Sequence, residues 1–303
     1  MREIEQKAIN HAIILKMVNY SKKRLKGIED LDQLVMTTNT DWFEFALAKL
    51  LNADTTILVK LRKEMTDKFR AVGKPFHTLH MSDPHYPDLL KSTSDPPLFL
   101  YCRGDLRLFK TKTVAVIGSR AASMEGLRRA RKLGRLLTKE GYSVVSGLAK
   151  GIDANGHIGA IEEGGHTISV IGTPLEKSYP KENLQLQEQI ATDHLLVSQF
   201  HPGHPVNRAC FPARNYTMSG ICLASVIVEA GETSGTLIQA RMCMNQGRHL
   251  FLLKSLLDRK DLTWPENYVN KGAFVISSIE DVPAALTRAP EYKSARKEKT
   301  LFD

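Results

Sequence analysis

The sequence is poor in the features that commit a chain to a particular chemistry. Its four cysteines (Cys102, Cys210, Cys222 and Cys243) lie far apart with no C-x-x-C pair. That excludes a disulfide framework and a cysteine zinc site, and leaves reduced thiols as the expectation. Ten histidines are present, yet none forms an H-E-x-x-H or H-x-H cluster. No metal or cofactor is therefore expected, and His77/His80 and His201/His204 read as surface or packing residues. There is no G-x-x-x-x-G-K-[ST], so P-loop nucleotide hydrolysis is unsupported. The one strand end that resembles a dinucleotide site reads G-S-R-A-A-S, not G-x-G-x-x-G. No apolar run approaches the roughly 20 residues needed to cross a bilayer. The first residues, M-R-E-I-E-Q-K, place charges where a signal peptide needs its apolar core. A soluble, cytoplasmic chain is expected, with no membrane partner and no internal repeat.

What the chain does have is positive charge and a series of glycine-bearing strand ends. The formal net charge is +9, which favours an anionic partner without choosing between nucleic acid, a membrane surface and a phosphorylated small molecule. The stretch Thr113–Arg120, T-V-A-V-I-G-S-R, is a continuous small and β-branched run ending in glycine, hydroxyl and cation. Such a run reads as a strand buried on both faces of a parallel sheet. With a helix beginning near Ser123, the amides, helix dipole and Arg120 would form an anion site, most naturally for phosphate. The other reading is a plain strand-to-helix turn with a solvated arginine.

Residues 1–72 read as a helical unit: a first helix around Ile9 and Ile13, then Asp30–Thr37, a third around Trp42–Leu50, and Thr55–Phe69. Asp41 and Asp54 stand where N-caps are wanted. The cations Lys22, Lys23, Arg24 and Lys26 read as a solvated loop or as a nucleic-acid contact. Gly73-Lys74-Pro75 marks a boundary. Phe76–Gly104 offers two short extended runs around a proline-rich segment, which suits sheet edges.

From Thr113 onward, strands alternate with helices. The strands are expected at Thr113–Gly118, Ser143–Gly147, Thr167–Gly172, Leu195–Phe200, Ser225–Ala230, His249–Leu253 and Ala273–Ser277. The helices are expected near Met124–Glu140, Asp153–Glu163, Asn183–Thr192, Tyr216–Leu223, Ser234–Gln246 and Ile279–Arg288. This pattern predicts an α/β fold with a doubly wound, mostly parallel sheet over residues 73–288. The charged tail, 289–303, is expected to be disordered.

In such sheets, ligands bind beyond the carboxyl ends of the strands. The candidates there are Gly118, Ser119 and Arg120; Gly147, Lys150 and Gly151; and Ser234, Gly235 and Thr236, whose hydroxyls and glycines precede a helix. Asp153 and His157, four apart on one helix face, read either as an acid–base pair or as a cap and a packing residue. The helix from Met124 carries Arg128, Arg129, Arg131, Lys132, Arg135 and Lys139. It reads either as a backbone-tracking surface or as cations offsetting a helix dipole.

Six segments in order resemble the DprA/Smf family of DNA-processing proteins. They are Y-P-D-L-L…D-P-P-L-F-L-Y-C-R-G (Tyr86–Gly104), V-I-G-S-R (Val116–Arg120), V-V-S-G-L-A-K-G-I-D-A-N-G-H-I-G-A-I (Val144–Ile161), Y-P-K-E-N-L (Tyr179–Leu184), F-P-A-R-N (Phe211–Asn215) and V-I-V-E-A…S-G-T-L-I-Q-A-R (Val226–Arg241). The resemblance implies an extended Rossmann fold with no catalytic centre. It also implies binding of single-stranded DNA and homodimerisation. The implied role is loading of a RecA-type recombinase in DNA uptake, transformation and competence. It places DNA contacts on Arg120, Arg208 and Phe211. There the cations would hold phosphates and the ring would stack a base. Arg214 and Asn215 either join that site or tie down its wall. The chain departs from the family pattern at Tyr216 (an arginine in the family), at I-G-T-P-L-E after the third strand, and at K-S-L-L-D-R-K-D-L-T-W-P-E after His249–Leu253. It also has no winged-helix-sized extension at its end. Defence against foreign DNA fits such a diverged member as well. The rival is a nucleotide sensor or a phosphoribohydrolase-like enzyme. Against the enzyme, Gln239 stands where that chemistry needs a glutamate.

Overall fold

The structure, a computed structural model, describes residues 1–289; the expected disordered tail lies outside the described residues from 290 onward. The described strands are β1 (His77–His80), β2 (Phe99–Gly104), β3 (Lys112–Gly118), β4 (Tyr142–Ser146), β5 (Thr167–Ile171), β6 (Leu195–Ser198), β7 (Ala224–Glu229), β8 (His249–Leu253) and β9 (Phe274–Ile276). They make one sheet in the order β1-β2-β6-β5-β4-β3-β7-β8-β9. From β6 to β9 every neighbouring pair is parallel, whereas β1–β2 and β2–β6 are antiparallel. The proline-flanked runs are thus sheet additions at one edge, as the sequence predicts, and the order reverses between β3 and β7.

The central strands are built from residues such as Val114, Ala115, Val116, Val144, Val145, Val226 and Ile227, all fully buried. Burial on both faces explains why these runs do not alternate. At the β2 edge the alternation returns. Leu100 and Cys102 join one core, while Phe99 and Tyr101 join another.

The second core holds the N-terminal helices α1 (Glu3–Met17), α2 (Lys22–Lys26), α3 (Leu31–Met36), α4 (Thr40–Leu51) and α5 (Thr55–Arg70). Ile9, Ile13, Phe43, Leu47, Leu58 and Met65 pack together there and reach Phe99, Tyr101, Ile171 and Leu196 of the sheet. Asp54 caps α5 as expected, its carboxylate accepting from Thr56 N at 2.8 Å. The α4 cap differs: Asn39 Oδ1 accepts from Trp42 N at 3.0 Å, and Asp41 lies inside the helix. The cationic patch is no loop but the short helix α2, tied to the sheet unit by an ion pair between Lys22 and Asp95.

The remaining helices are α6 (Asp88–Lys91), α7 (Met124–Lys139), α8 (Ile152–Glu162), α9 (Leu184–Asp193), α10 (Cys210–Ile221), α11 (Thr236–Asn245), α12 (Lys254–Leu257), α13 (Trp264–Asn270) and α14 (Val282–Arg288). Of the expected helices α10 departs most. It starts at Cys210, ahead of the expected Tyr216, because Pro212 falls in its first turn, where a missing N–H costs nothing. The segment F-P-A-R-N is therefore helical. None of the described helices is long and apolar enough to cross a membrane.

Candidate functional site

The end of β3 is built differently from the anion cradle its sequence suggests. Ser119 N donates to Glu229 O at 2.7 Å, and Ser119 Oγ accepts from Ala121 N at 3.1 Å. Ser123 N and Ser123 Oγ donate to the Glu229 carboxylate at 2.8 and 2.6 Å, while Ser123 Oγ accepts from Gly126 N at 3.0 Å. The chain's own carboxylate therefore occupies the N-terminus of α7, which the helix dipole favours. Only Arg120 projects from this turn. It is exposed, with Cζ 5.9 Å from the centre of the Phe211 ring.

The β4 end supplies a second wall. Gly151 sits at φ +80°, and a Cβ there would lie 2.4 Å from Ser119 O, so the two turns meet only because residue 151 is glycine. Asp153 is buried, and its Oδ2 accepts from Gly147 N and Ala149 N at 3.2 and 3.4 Å. Burial raises its pKa, and the nearby Arg214 guanidinium opposes that rise. His157 has different partners: its Nδ1 meets Thr167 Oγ1 at 2.6 Å, and burial pushes its pKa down to about 3. The two residues do not form an acid–base pair. They are a turn clamp and a neutral packing group.

Arg214 lines the groove and is bonded into its wall. The side chain is buried; Nη1 donates to Gly147 O and Val170 O at 2.5 and 2.7 Å, and Nε donates to Asn215 Oδ1 at 2.9 Å. Arg214 and Asn215 thus tie the ends of β4 and β5 to α10.

Against that wall lies Phe211, half-buried over Gly172, where an added Cβ would come within 2.9 Å of the ring. The half-exposed Tyr179 ring lies 5.4 Å from it, tilted. Arg120, Gly147, Lys150, Gly172, Tyr179, Lys181, Glu182, Phe211 and Arg214 line one cavity of about 600 Å³. Lys150 is ion-paired with Glu182 across its rim. This groove unites the ends of β3, β4 and β5 with α10. Tyr179, Lys181 and Glu182 join the site from the segment Y-P-K-E-N-L, in which no single residue carries a local signal of that role.

Other candidates fall elsewhere. Gly118 and Ser119 form the floor of the Arg120 turn: a Cβ on Gly118 would meet Ile152 Cγ1 at 2.5 Å. Arg208 is exposed just before α10, beside the groove and not in its lining. Ser234, Gly235 and Thr236 open α11 beyond β7, away from the groove. There Ser234 Oγ donates to Thr236 Oγ1 at 2.9 Å.

The α7 cations are also resolved. Arg128 and Arg129 pair with Glu125, Arg131 and Arg135 with Glu162, Lys132 with Glu280, and Lys139 with Glu163. The six cations share four acids, so the helix keeps a surplus of positive charge although each of its cations has an ion-pair partner. Gln239 is buried, and the amide orientation that satisfies its neighbours donates to Asn215 O at 2.8 Å and accepts from Ser219 N at 3.2 Å. It faces α10, not the groove.

A doubly wound sheet with a ring-and-cation groove over its strand ends defines a Rossmann-type ligand-binding protein. A sequence model described as DNA recombination-mediator protein A matches residues 77–287, and the chain belongs to that family. It is 40% identical over 210 residues to DNA processing protein DprA of Streptococcus pneumoniae, covering 69% of this chain and 74% of that one. The X-ray structure of DprA from S. pneumoniae matches with TM-score 0.69 and 31% identity over 96% of both chains, so the N-terminal helices have counterparts there. DNA processing protein A from Helicobacter pylori, solved for its single-stranded DNA binding mode, matches with TM-score 0.64 and 27% identity. It covers 73% of this chain and 99% of that one.

Proposed function

We propose that this chain binds single-stranded DNA in the groove over β3, β4 and β5 and acts as a DNA-processing recombination mediator without a catalytic centre. The observation that carries this reading is the Arg120–Phe211–Tyr179 arrangement. Two rings offer flat faces to bases, and Arg120 offers a cation to the backbone, with no hydrogen bond asked of any base edge. Family membership and the strand-binding H. pylori relative support the same ligand. Arg208 extends the positive path, Lys150 is held at the rim by Glu182, and Arg214 and Asn215 hold its wall. Gln239, turned away and pinned to α10, gives no support to phosphoribohydrolase chemistry.

Family membership further supports a RecA-type recombinase as the recipient of the strand, work as a homodimer, and a cytoplasmic setting, all parts of this proposal. So is the division into a helical unit (1–72) and a Rossmann unit (73–288). A titration of labelled oligo-dT against mononucleotides tests the ligand. Oligo-dT is expected to bind and dTMP to compete weakly. Equal affinity for both would favour the nucleotide sensor.

A further inference from the structure

Behind α10, on the side away from the groove, lies a second cavity of about 520 Å³ between the N-terminal helices and the sheet unit. Its walls are mostly apolar and rich in rings: Tyr20, Phe99, Phe200, His204 and His11 all contribute. That size and lining suit a small planar ligand held by few polar groups. The rings are already arranged face and edge. Tyr20 lies 4.7 Å from His204 in a T-shape, and Phe200 lies 4.9 Å from the same imidazole.

Two features mark the cavity as more than packing. Tyr20 sits at φ +57°, directly after Asn19 at φ +52°. A bulky residue held in the left-handed region is costly and is retained where its side chain has a task. That backbone carries the Tyr20 ring to the cavity. His11 lines the cavity and makes no hydrogen bond with any described residue. Burial pushes its pKa down to about 4, so the ring is neutral and offers one donor and one acceptor.

The cavity lies across α10 from the groove. Cys210, Pro212 and Ala213 of α10 face it, while Phe211 and Arg214 of the same two turns face the groove. Asn207 and Ala209 line it, and Arg208, exposed between them, directly precedes the turns of α10 that carry Phe211. Asp95 is paired with Lys22 on the cavity wall and Asp32 adds a negative charge, so the lining has no surplus of cations for a phosphate and suits a neutral ring.

Resting on the reading that the groove holds single-stranded DNA, we propose that this cavity takes one neutral nucleobase of the same strand, stacked on Tyr20 and hydrogen-bonded to His11. The strand then crosses the start of α10 at Arg208 and spans both sites.

The test is an oligo-dT carrying one 2-aminopurine, stepped along the strand, with fluorescence and affinity read together. One position is expected to be quenched by Tyr20. Tyr20→Gly removes the ring and relieves the positive φ, so the fold is expected to hold. The quench should be lost at that position alone, with an affinity loss of about fivefold or more, the low end for one stacked base. Leu25→Trp, which fills the cavity from α2, should do the same. If oligo-dT binds and Arg120→Ala weakens it, yet neither cavity variant changes any position, the groove stands and the cavity assignment is overturned. If wild type binds no oligo-dT, both fall. Tyr20-dependent binding of free thymidine with no strand effect would also overturn the assignment, because the base would then come from a free nucleoside.

Discussion

Phe211 does little alone; its neighbours make it a platform. Gly172 lets the ring come close to the β5 end, the Arg120 guanidinium sits over the ring, and Arg214 fixes the turn of helix beneath. Phe211→Ala is expected to weaken oligo-dT binding by about 1–3 kcal/mol, the worth of one base stack. Gly172→Ala places a Cβ 2.9 Å from Phe211 Cδ1 and should displace the ring. Fluorescence anisotropy should then show weaker binding while the melting temperature stays close to wild type. An unchanged affinity would mean that the ring face is not used. Arg120 and Lys150 were legible because a cation and a glycine-flanked lysine stand at strand ends in the sequence, whereas Phe211 came only from the family resemblance. For Arg214 the wall role stood as one of two alternatives, because the carbonyls that favour it, at Gly147 and Val170, lie far away in the chain.

The same limit governs the elements. Strand and helix order was readable from continuous apolar runs and glycine punctuation, because those signals are local. The start of α10 was misplaced because Pro212 reads as a breaker unless it falls in a first turn, and that position is known only from the fold. The occupant of the α7 N-terminus was hidden for a different reason: Ser123 and Glu229 are 106 residues apart. Ser123→Ala removes both the cap on Gly126 N and a donor to Glu229. Chemical denaturation is expected to show a loss of about 1 kcal/mol. The cations of α7 meet acids from α8 and from the turn before α14, and no window of sequence shows that. Charge reversal at Arg131 or Arg135 should therefore leave oligo-dT affinity nearly unchanged, whereas a large loss would restore the helix as a DNA-binding surface.

At the scale of the molecule, the N-terminal helices and the sheet share a seam of neutral imidazoles. Burial lowers the pKa of His11 to about 4, of His201 to about 3 and of His204 to about 4, and the charges that reach them, from His80, Lys68 and Lys177, push the same way. In the unfolded chain these groups titrate near 6.5, so between about pH 6.5 and pH 4 the unfolded state binds more protons. Stability is complete above pH 6.5 and falls as the pH drops, by up to about 1.4 kcal/mol per pH unit for each histidine. Thermal melts from pH 7.5 to pH 4.5 check this, and a flat profile would contradict it. In the sequence His201 and His204 read only as surface or packing residues, and nothing local ties them to His11 across the seam.

The central claim is that a ring-and-cation groove at the strand ends holds single-stranded DNA through its backbone and base faces. Its most direct measurement is the salt dependence of oligo-dT affinity for wild type and Arg120→Ala side by side. The account predicts a steep wild-type slope and weaker binding in the variant. The variant's slope should be shallower by about 0.7, the share of one phosphate contact on a single strand. Identical affinity and identical slope in the two proteins would contradict it.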